Sequence, residues 1–156
     1  MFLPVVRTTS SPARWEGTIA AVTVDGVVID GAAVDGIGSF YDEVNRVFMQ
    51  GESWTLGPSL DALDDMLHGG YGLLAGLRDA FPVPVVWTSH ASSRAALGEA
   101  ATRAHLQEKL RRPAVYNGAL VEEQLRALDA GTGATYFDLV LDVFAGHGAQ
   151  VTLTLR

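Results

Sequence analysis

Apolar residues recur at helical spacing around a group of aspartates near the middle of the chain. Spacings of four, three and four residues, the period of one helical face, separate Leu56, Leu60, Leu63 and Leu67. Three acidic residues fall between these leucines and must point away from the apolar stripe; this acidic face consists of Asp61, Asp64 and Asp65. Ser59 is suited to cap a helix and Gly69 to end one, so the pattern predicts a short helix over 59–68.

The rest of the hydrophobic pattern predicts helices that alternate with short strands. Helical spacing or composition predicts further helices over residues 39–48, 71–80, 92–110, 120–128 and 137–146. The first of these is expected to be capped by Ser39 and to carry acids in its first turn. Short apolar runs predict strands within 18–29, at 82–87 and at 151–155. Since β-rich runs lie on both sides of Asp25 and Gly26, the first strand either stands alone or doubles back as a hairpin.

This order of elements predicts an α/β fold. Strands separated by helical stretches need crossover connections, which are right-handed in a parallel sheet. The run at 82–87 is apolar and bounded by proline, which is typical of a strand that is covered on both faces. We therefore expect a small parallel sheet packed with α-helices, with an extra N-terminal hairpin strand as an open alternative.

Composition and charge narrow the function classes. The chain has 156 residues, of which 48% are hydrophobic, enough for one compact domain and too few for two comfortable ones. A formal net charge of −7 argues against direct nucleic-acid binding and favours a cationic partner. The chain contains no cysteine, which excludes disulfides and thiolate chemistry and fits a reducing compartment.

The N-terminal residues suggest an appendage to the domain. Residues 1–17 are rich in Ser, Thr, Pro and Arg, and we expect them to form a loosely docked N-terminal arm. They show no basic segment followed by a long apolar run, so no signal peptide is expected. No apolar run in the chain approaches the length of a membrane span. The expectation is a soluble cytoplasmic protein that does not act at a membrane.

Several of these segments together resemble the barstar family of ribonuclease inhibitors. The most telling is the motif Gly-x-x-Leu-Asp-Ala-Leu-x-Asp over 57–65, which follows the segment 27–31 and the helix that starts at Ser39. The last predicted helix and strand match the end of the family's pattern. The resemblance covers about 18–90 and 135–156, and it implies a single barstar-like domain over 18–156 with a helical insertion at about 91–134. It also implies a three-stranded parallel sheet with helices packed against it.

The resemblance implies a function and a set of partner-binding residues. In that family, an acidic helix and the loop before it fill the active site of a small basic ribonuclease. By position, Asp61 and Asp65 match the two aspartates of the family's binding face, Gly57 matches its loop glycine, and Ser59 its capping residue. The residues expected to contact a ribonuclease or related toxin are Trp54, Leu56, Gly57, Ser59, Asp61, Asp64, Asp65 and His68. No catalytic residue, metal or cofactor is expected.

The chain also departs from the family at aromatic positions. Thr55 and Leu56 stand where the prototype has two tyrosines, and Asp64 stands where it has a tryptophan. Trp54 is placed to replace some of that aromatic contact from one residue earlier. Because binding hot spots favour aromatic residues, these departures leave a second hypothesis open. In it, the chain is an interaction module whose partner is not a nuclease.

A third hypothesis is a small hydrolase. Ser89 and His90 follow a predicted strand and could act as nucleophile and base, but no oxyanion-type motif surrounds them, which favours a polar turn between strand and helix. The Asp61 and Asp65 cluster is the other possible centre of such a hydrolase. The four histidines show no metal-ligand spacing such as His-x-x-x-His. His68, beside the acidic face, is either part of a site or a helix C-terminal cation that interacts with the helix dipole.

Overall fold

The protein contains a four-stranded sheet with a parallel core. The computed structural model describes residues 22–23 and 26–156, so the predicted N-terminal arm at 1–17 lies outside the described residues. The strands are β1 (Val22–Thr23), β2 (Gly26–Asp30), β3 (Val83–Thr88) and β4 (Val151–Leu155), and they lie in that order across the sheet. Strands β2, β3 and β4 are parallel, and β1 pairs with β2 in the antiparallel sense. The α/β prediction, its small three-stranded parallel sheet and the extra N-terminal strand are all confirmed.

Seven helices surround the sheet in the described part of the chain. They are α1 (Ile37–Phe48), α2 (Leu60–Leu67), α3 (Gly72–Ala75), α4 (His90–Ala96), α5 (Glu99–Leu110), α6 (Gly118–Asp129) and α7 (Tyr136–Gly146). Short 3-10 turns lie at Gly31–Ala33 and Arg78–Ala80. The helices predicted at 39–48, 59–68, 120–128 and 137–146 are present, with ends shifted by about one or two residues. None of the helices in the described residues is long and apolar enough to cross a membrane.

Two predicted helices are each divided in the structure. The helix predicted over 92–110 is interrupted at Leu97 and Gly98, where Leu97 is fully buried in the main core and Gly98 caps α5. Glycine within a helix costs about 1 kcal/mol relative to alanine, so the break falls where helix propensity is lowest. The helix predicted over 71–80 is likewise replaced by α3 and the turn Arg78–Ala80, with Gly76 ending α3.

The start of α1 also differs from the prediction. The helix begins at Ile37, so Ser39 lies inside its first turn and Gly36 is the capping residue, and that first turn carries no acid. The Ser39 hydroxyl oxygen accepts hydrogen bonds from the backbone N–H groups of Asp35, at 2.8 Å, and Gly36, at 3.0 Å. Ser39 therefore still stabilises the start of the helix, but it reaches back from within rather than capping from outside.

The main core joins the sheet to α1 and α7 through aromatic contacts. Trp87 on β3 is fully buried, with its ring centroid 5.4 Å from that of Phe40 and 5.1 Å from that of Phe137. Its indole N–H donates a hydrogen bond of 3.0 Å to the Ser93 hydroxyl on α4. The strand predicted to be covered on both faces thus carries the central side chain of the fold.

The segment predicted as an insertion, 91–134, holds most of α4 and all of α5 and α6. Helices α5 and α6 share a second, smaller core of buried residues: Leu106, Val121 and Leu128. This pair is fixed to the start of α7 by Thr102, whose hydroxyl oxygen accepts a hydrogen bond of 2.8 Å from the Tyr136 N–H. The segment is therefore packed against the main domain at α7, the helix that also contacts α2.

Candidate partner-binding surface

The acidic helix α2 is capped at its start and anchored on one side. The Ser59 hydroxyl oxygen accepts a hydrogen bond of 3.1 Å from the Ala62 N–H, the capping contact expected from the sequence. Three apolar side chains on the inner side are completely buried: Leu63, Met66 and Leu67. Gly69 ends the helix with a φ of +77°, a conformation that glycine adopts at little steric cost. The side chains on the outer side are therefore held on a fixed backbone.

Asp61 and Asp65 are the two exposed acids of this outer side. They lie four positions apart, one helical turn, and both are exposed to solvent. Neither carboxylate forms an ion pair or hydrogen bond with any residue of the described part of the chain. Like charges at this spacing repel by about 0.2–0.5 kcal/mol on an exposed helix. The two exposed carboxylates can therefore bind a cation from another molecule.

Asp64 has a different environment from its two neighbours. It is half-exposed, and its Oδ1 lies 2.8 Å from Nε2 of His147, the buried residue that caps the end of α7. His68 caps the end of α2, with its Nδ1 2.9 Å from the backbone oxygen of Asp64, as the helix-terminal interpretation predicts. Asp64 therefore connects α2 to α7, whereas Asp61 and Asp65 face outward.

The loop before α2 is fixed by a side chain that the sequence did not suggest. The Asn45 amide pairs with both backbone groups of Leu56: Oδ1 accepts from the N–H at 2.7 Å, and Nδ2 donates to the carbonyl at 3.1 Å. The Leu56 side chain is only 6% exposed and lies in the core, so it supports the loop from inside. Gly57 and Ser59, by contrast, are exposed beside the acidic helix.

An aromatic pair borders the acidic helix. Trp54 is 46% exposed, and its ring centroid lies 4.9 Å from that of Tyr71, a residue that the sequence analysis did not select. Partial burial raises the pKa of the Tyr71 hydroxyl, and the nearby carboxylates of Asp65 and Glu52 raise it further. Tyr71 is held in place because Glu52 accepts a hydrogen bond of 2.7 Å from the next N–H, that of Gly72. The Asp65 carboxylate therefore acts electrostatically on the Tyr71 hydroxyl of this aromatic pair.

We expect the Asn45→Ala variant to lose loop order and stability together. Removing the amide leaves the buried N–H and carbonyl of Leu56 unpaired, which typically costs about 1–3 kcal/mol per group. Chemical denaturation followed by circular dichroism measures the loss. Asn45→Asp is the matched control, since it keeps the acceptor for the Leu56 N–H and should show a smaller loss. Equal stability of Asn45→Ala and the wild type would show that this clamp does not hold the loop.

The Ser89 and His90 side chains do not form a nucleophile–base pair in the structure. The His90 Nδ1 lies 3.0 Å from the backbone oxygen of Arg156, and its backbone N–H donates to the same oxygen at 3.2 Å. Ser89 is exposed and has a φ of +48°, a left-handed conformation that turns the chain from β3 into α4. The arrangement is that of a polar turn between a strand and a helix, held by the C-terminal residue.

Comparison of the chain with models of known protein families and with curated proteins gave no match.

Proposed function

We propose that this protein binds a basic ribonuclease or a related toxin protein in the cytoplasm and occludes its active site. The observation that carries the proposal is the pair of exposed carboxylates, Asp61 and Asp65, on a helix whose opposite side is completely buried. The net charge of −7 and the resemblance of residues 57–65 to the barstar motif support it. The protein then acts as a binding module, without catalysis or direct contact with nucleic acid.

The physical basis is a match between carboxylates and the cations of a phosphate-binding active site. A ribonuclease holds substrate phosphates with Arg, Lys and His, and two carboxylates fixed one turn apart can occupy the same cations. Opposite charges on the two proteins also accelerate their encounter. Because α2 is already anchored by Leu63, Met66 and Leu67, little conformational entropy is lost when it binds.

Trp54 and Tyr71 supply the aromatic contact area of this surface. Large aromatic side chains dominate the binding energy of many interfaces, and the Tyr71 hydroxyl of this pair is under the electrostatic influence of the Asp65 carboxylate. Thr55 is exposed next to the pair, Leu56 is in the core, and Asp64 contacts His147. The aromatic contribution in this chain therefore comes from Trp54 and Tyr71.

The form of inhibition tests whether the active site is the target. Steady-state cleavage by a small basic ribonuclease should be measured at several concentrations of substrate and of this protein. Occlusion predicts that substrate competes with the inhibitor, so the apparent Kd of the inhibitor should rise in proportion to 1 + S/KM, where S is the substrate concentration. An apparent Kd that does not change with substrate concentration would show that the protein binds away from the active site and would contradict this part of the proposal.

We expect the Trp54→Ala variant to bind the ribonuclease more weakly with only a modest loss of stability. The change removes a side chain that is 46% exposed and packs on Tyr71, so the free energy of unfolding should fall by about 0.5–1.5 kcal/mol. Loss of an aromatic hot spot typically weakens binding by about 2 kcal/mol or more, equivalent to about 30-fold in Kd. Isothermal titration calorimetry measures the difference. The control Leu120→Ala removes another exposed apolar residue, on α6, and should leave binding unchanged.

The second candidate function is an interaction module with a partner that is not a nuclease. Its support is a separate exposed apolar surface near α6, where Val115 is 61% and Leu120 is 54% exposed. These residues lie within 91–134, outside the part of the chain that resembles the inhibitor family. Affinity capture from the native host, repeated with the Asp61→Ala and Leu120→Ala variants, separates the two functions. A partner lost only with Leu120→Ala would favour this alternative.

A further inference from the structure

Two histidines and one aspartate converge where α2 meets α7. Asp64 and His68 lie one turn apart on α2, and His147 comes from the end of α7. One ligand atom from each of these side chains lies within 4.8 Å of the other two. The Asp64 Oδ1 is 2.8 Å from the His147 Nε2, and the two imidazole ring centroids are 4.5 Å apart. The sequence analysis singled out two of the three residues, Asp64 and His68, since His147 is 83 positions from Asp64.

We propose that Asp64, His68 and His147 bind a divalent transition-metal ion of the zinc class. Imidazole nitrogen and carboxylate oxygen are established zinc ligands, at about 2.0–2.2 Å from the ion. Ligand atoms of a tetrahedral zinc ion are then about 3.3 Å apart. The exposed His68 ring, whose Nδ1 lies 3.9 Å from the Asp64 Oδ2 and 2.9 Å from the Asp64 backbone oxygen, rotates to close the set. Hard cations such as Mg²⁺ and Ca²⁺ prefer all-oxygen ligands, and two imidazoles select against them.

The three side chains differ in burial, so the site is shielded by the protein at His147 and open to solvent at Asp64 and His68. The His147 side chain is 7% exposed, whereas those of Asp64 and His68 are 50% and 61% exposed. An ion held by three protein ligands keeps a fourth position for water or for a group from another molecule. The ion replaces the hydrogen bond between Asp64 and His147, and any proton on the bound imidazoles leaves to solvent.

Metal binding then links α2 to α7. The two helices contact each other already, and a shared ion adds a bond that exists only in the folded protein. Because Asp64 and His68 are on the acidic helix, the ion also lowers the negative charge next to Asp65. The site is independent of any ribonuclease, since its three ligands come from this chain.

The test uses zinc ions and the intact chain after treatment with a chelator. Calorimetric titration with ZnCl₂ should show one ion per chain, and Tm should rise by about 5–10 °C at free zinc about 100-fold above Kd. Cobalt(II) should give the visible absorption of a tetrahedral site with nitrogen and oxygen ligands. Asp64→Asn and His68→Gln should each weaken zinc binding by about tenfold or more. Asp65→Asn is the matched control, because it removes the same charge from the same helix outside the cluster.

Three results would overturn the proposal. The first is no binding of zinc at micromolar concentrations, and the second is unchanged affinity in Asp64→Asn or His68→Gln. The third is a loss of zinc binding in His90→Gln, which would place the ion at the turn between β3 and α4. Circular dichroism shows whether each variant is folded; if Asp64→Asn is not, His68→Gln decides the question, because the His68 side chain is 61% exposed.

Discussion

Replacing Asp61 and Asp65 together with alanine should abolish inhibition of a basic ribonuclease, weakening the complex by about a thousandfold or more. Removing one partner of a buried, hydrogen-bonded charge pair at an interface typically costs about 2–5 kcal/mol. Each single substitution should therefore raise Kd by at least about 30-fold, at 1.4 kcal/mol for each factor of ten. Inhibition titrations with the two single variants and the double variant measure these losses.

The control for this prediction removes the same number of negative charges from another helix. Glu122 and Glu123 on α6 are both exposed, and neither forms an ion pair with another described residue. Their double alanine variant also removes two negative charges, so it should slow association slightly through the overall field and leave dissociation unchanged. An equal loss of affinity in both double variants would mean that overall charge, and not contact by Asp61 and Asp65, produces the binding.

The second large effect is expected on stability. Trp87→Ala should lower the free energy of unfolding by about 3–5 kcal/mol, the usual range for removing a buried tryptophan. The Trp87 ring contacts Phe40 and Phe137. Its removal would leave a cavity at the place where β3 packs against both α1 and α7. For a chain of this size, such a loss lowers Tm by about 6–20 °C. Urea unfolding followed by far-ultraviolet circular dichroism measures the change without relying on tryptophan fluorescence.

Trp54→Ala is the matched control for this measurement. Both changes remove an indole ring, but Trp54 is 46% exposed and Trp87 is fully buried. The two variants should show different defects: Trp87→Ala is destabilised, and Trp54→Ala binds the ribonuclease more weakly. A Trp87→Ala protein that unfolds within about 1 kcal/mol of the wild type would contradict the central position of this side chain in the core.

The elements that the sequence predicted are those whose signal is local. The leucine spacing of α2, the Ser59 cap and the end at Gly69 lie within a few residues of one another, and all three are confirmed. Strand β4 was likewise predicted over 151–155 from one short apolar run. The break between α4 and α5 was missed because residues of high helix propensity lie on both sides of Gly98, and the burial of the adjacent Leu97 depends on tertiary packing.

The candidate surface was only partly predictable, because the sequence carries local signals and part of this surface depends on contacts between distant segments. Asp61 and Asp65 are exposed as the helical period requires, because their direction is set within one helix. The Asn45 contact with Leu56, the Tyr71 ring beside Trp54 and the His147 contact with Asp64 depend on how separate elements pack. No pattern within a single helix carries that information. The sequence therefore indicated where the surface lies, and tertiary packing decides which side chains it presents.

Titration of this protein into a fixed concentration of a small basic bacterial ribonuclease, with cleavage rate as the readout, tests the central claim most directly. The proposal predicts that activity falls in proportion to added protein and is lost near one molecule of inhibitor per molecule of enzyme. The Asp61→Ala, Asp65→Ala variant should leave the rate unchanged over the same range. An unchanged cleavage rate at micromolar excess of the wild-type protein, in ribonucleases of the class that the barstar resemblance implies, would contradict the claim.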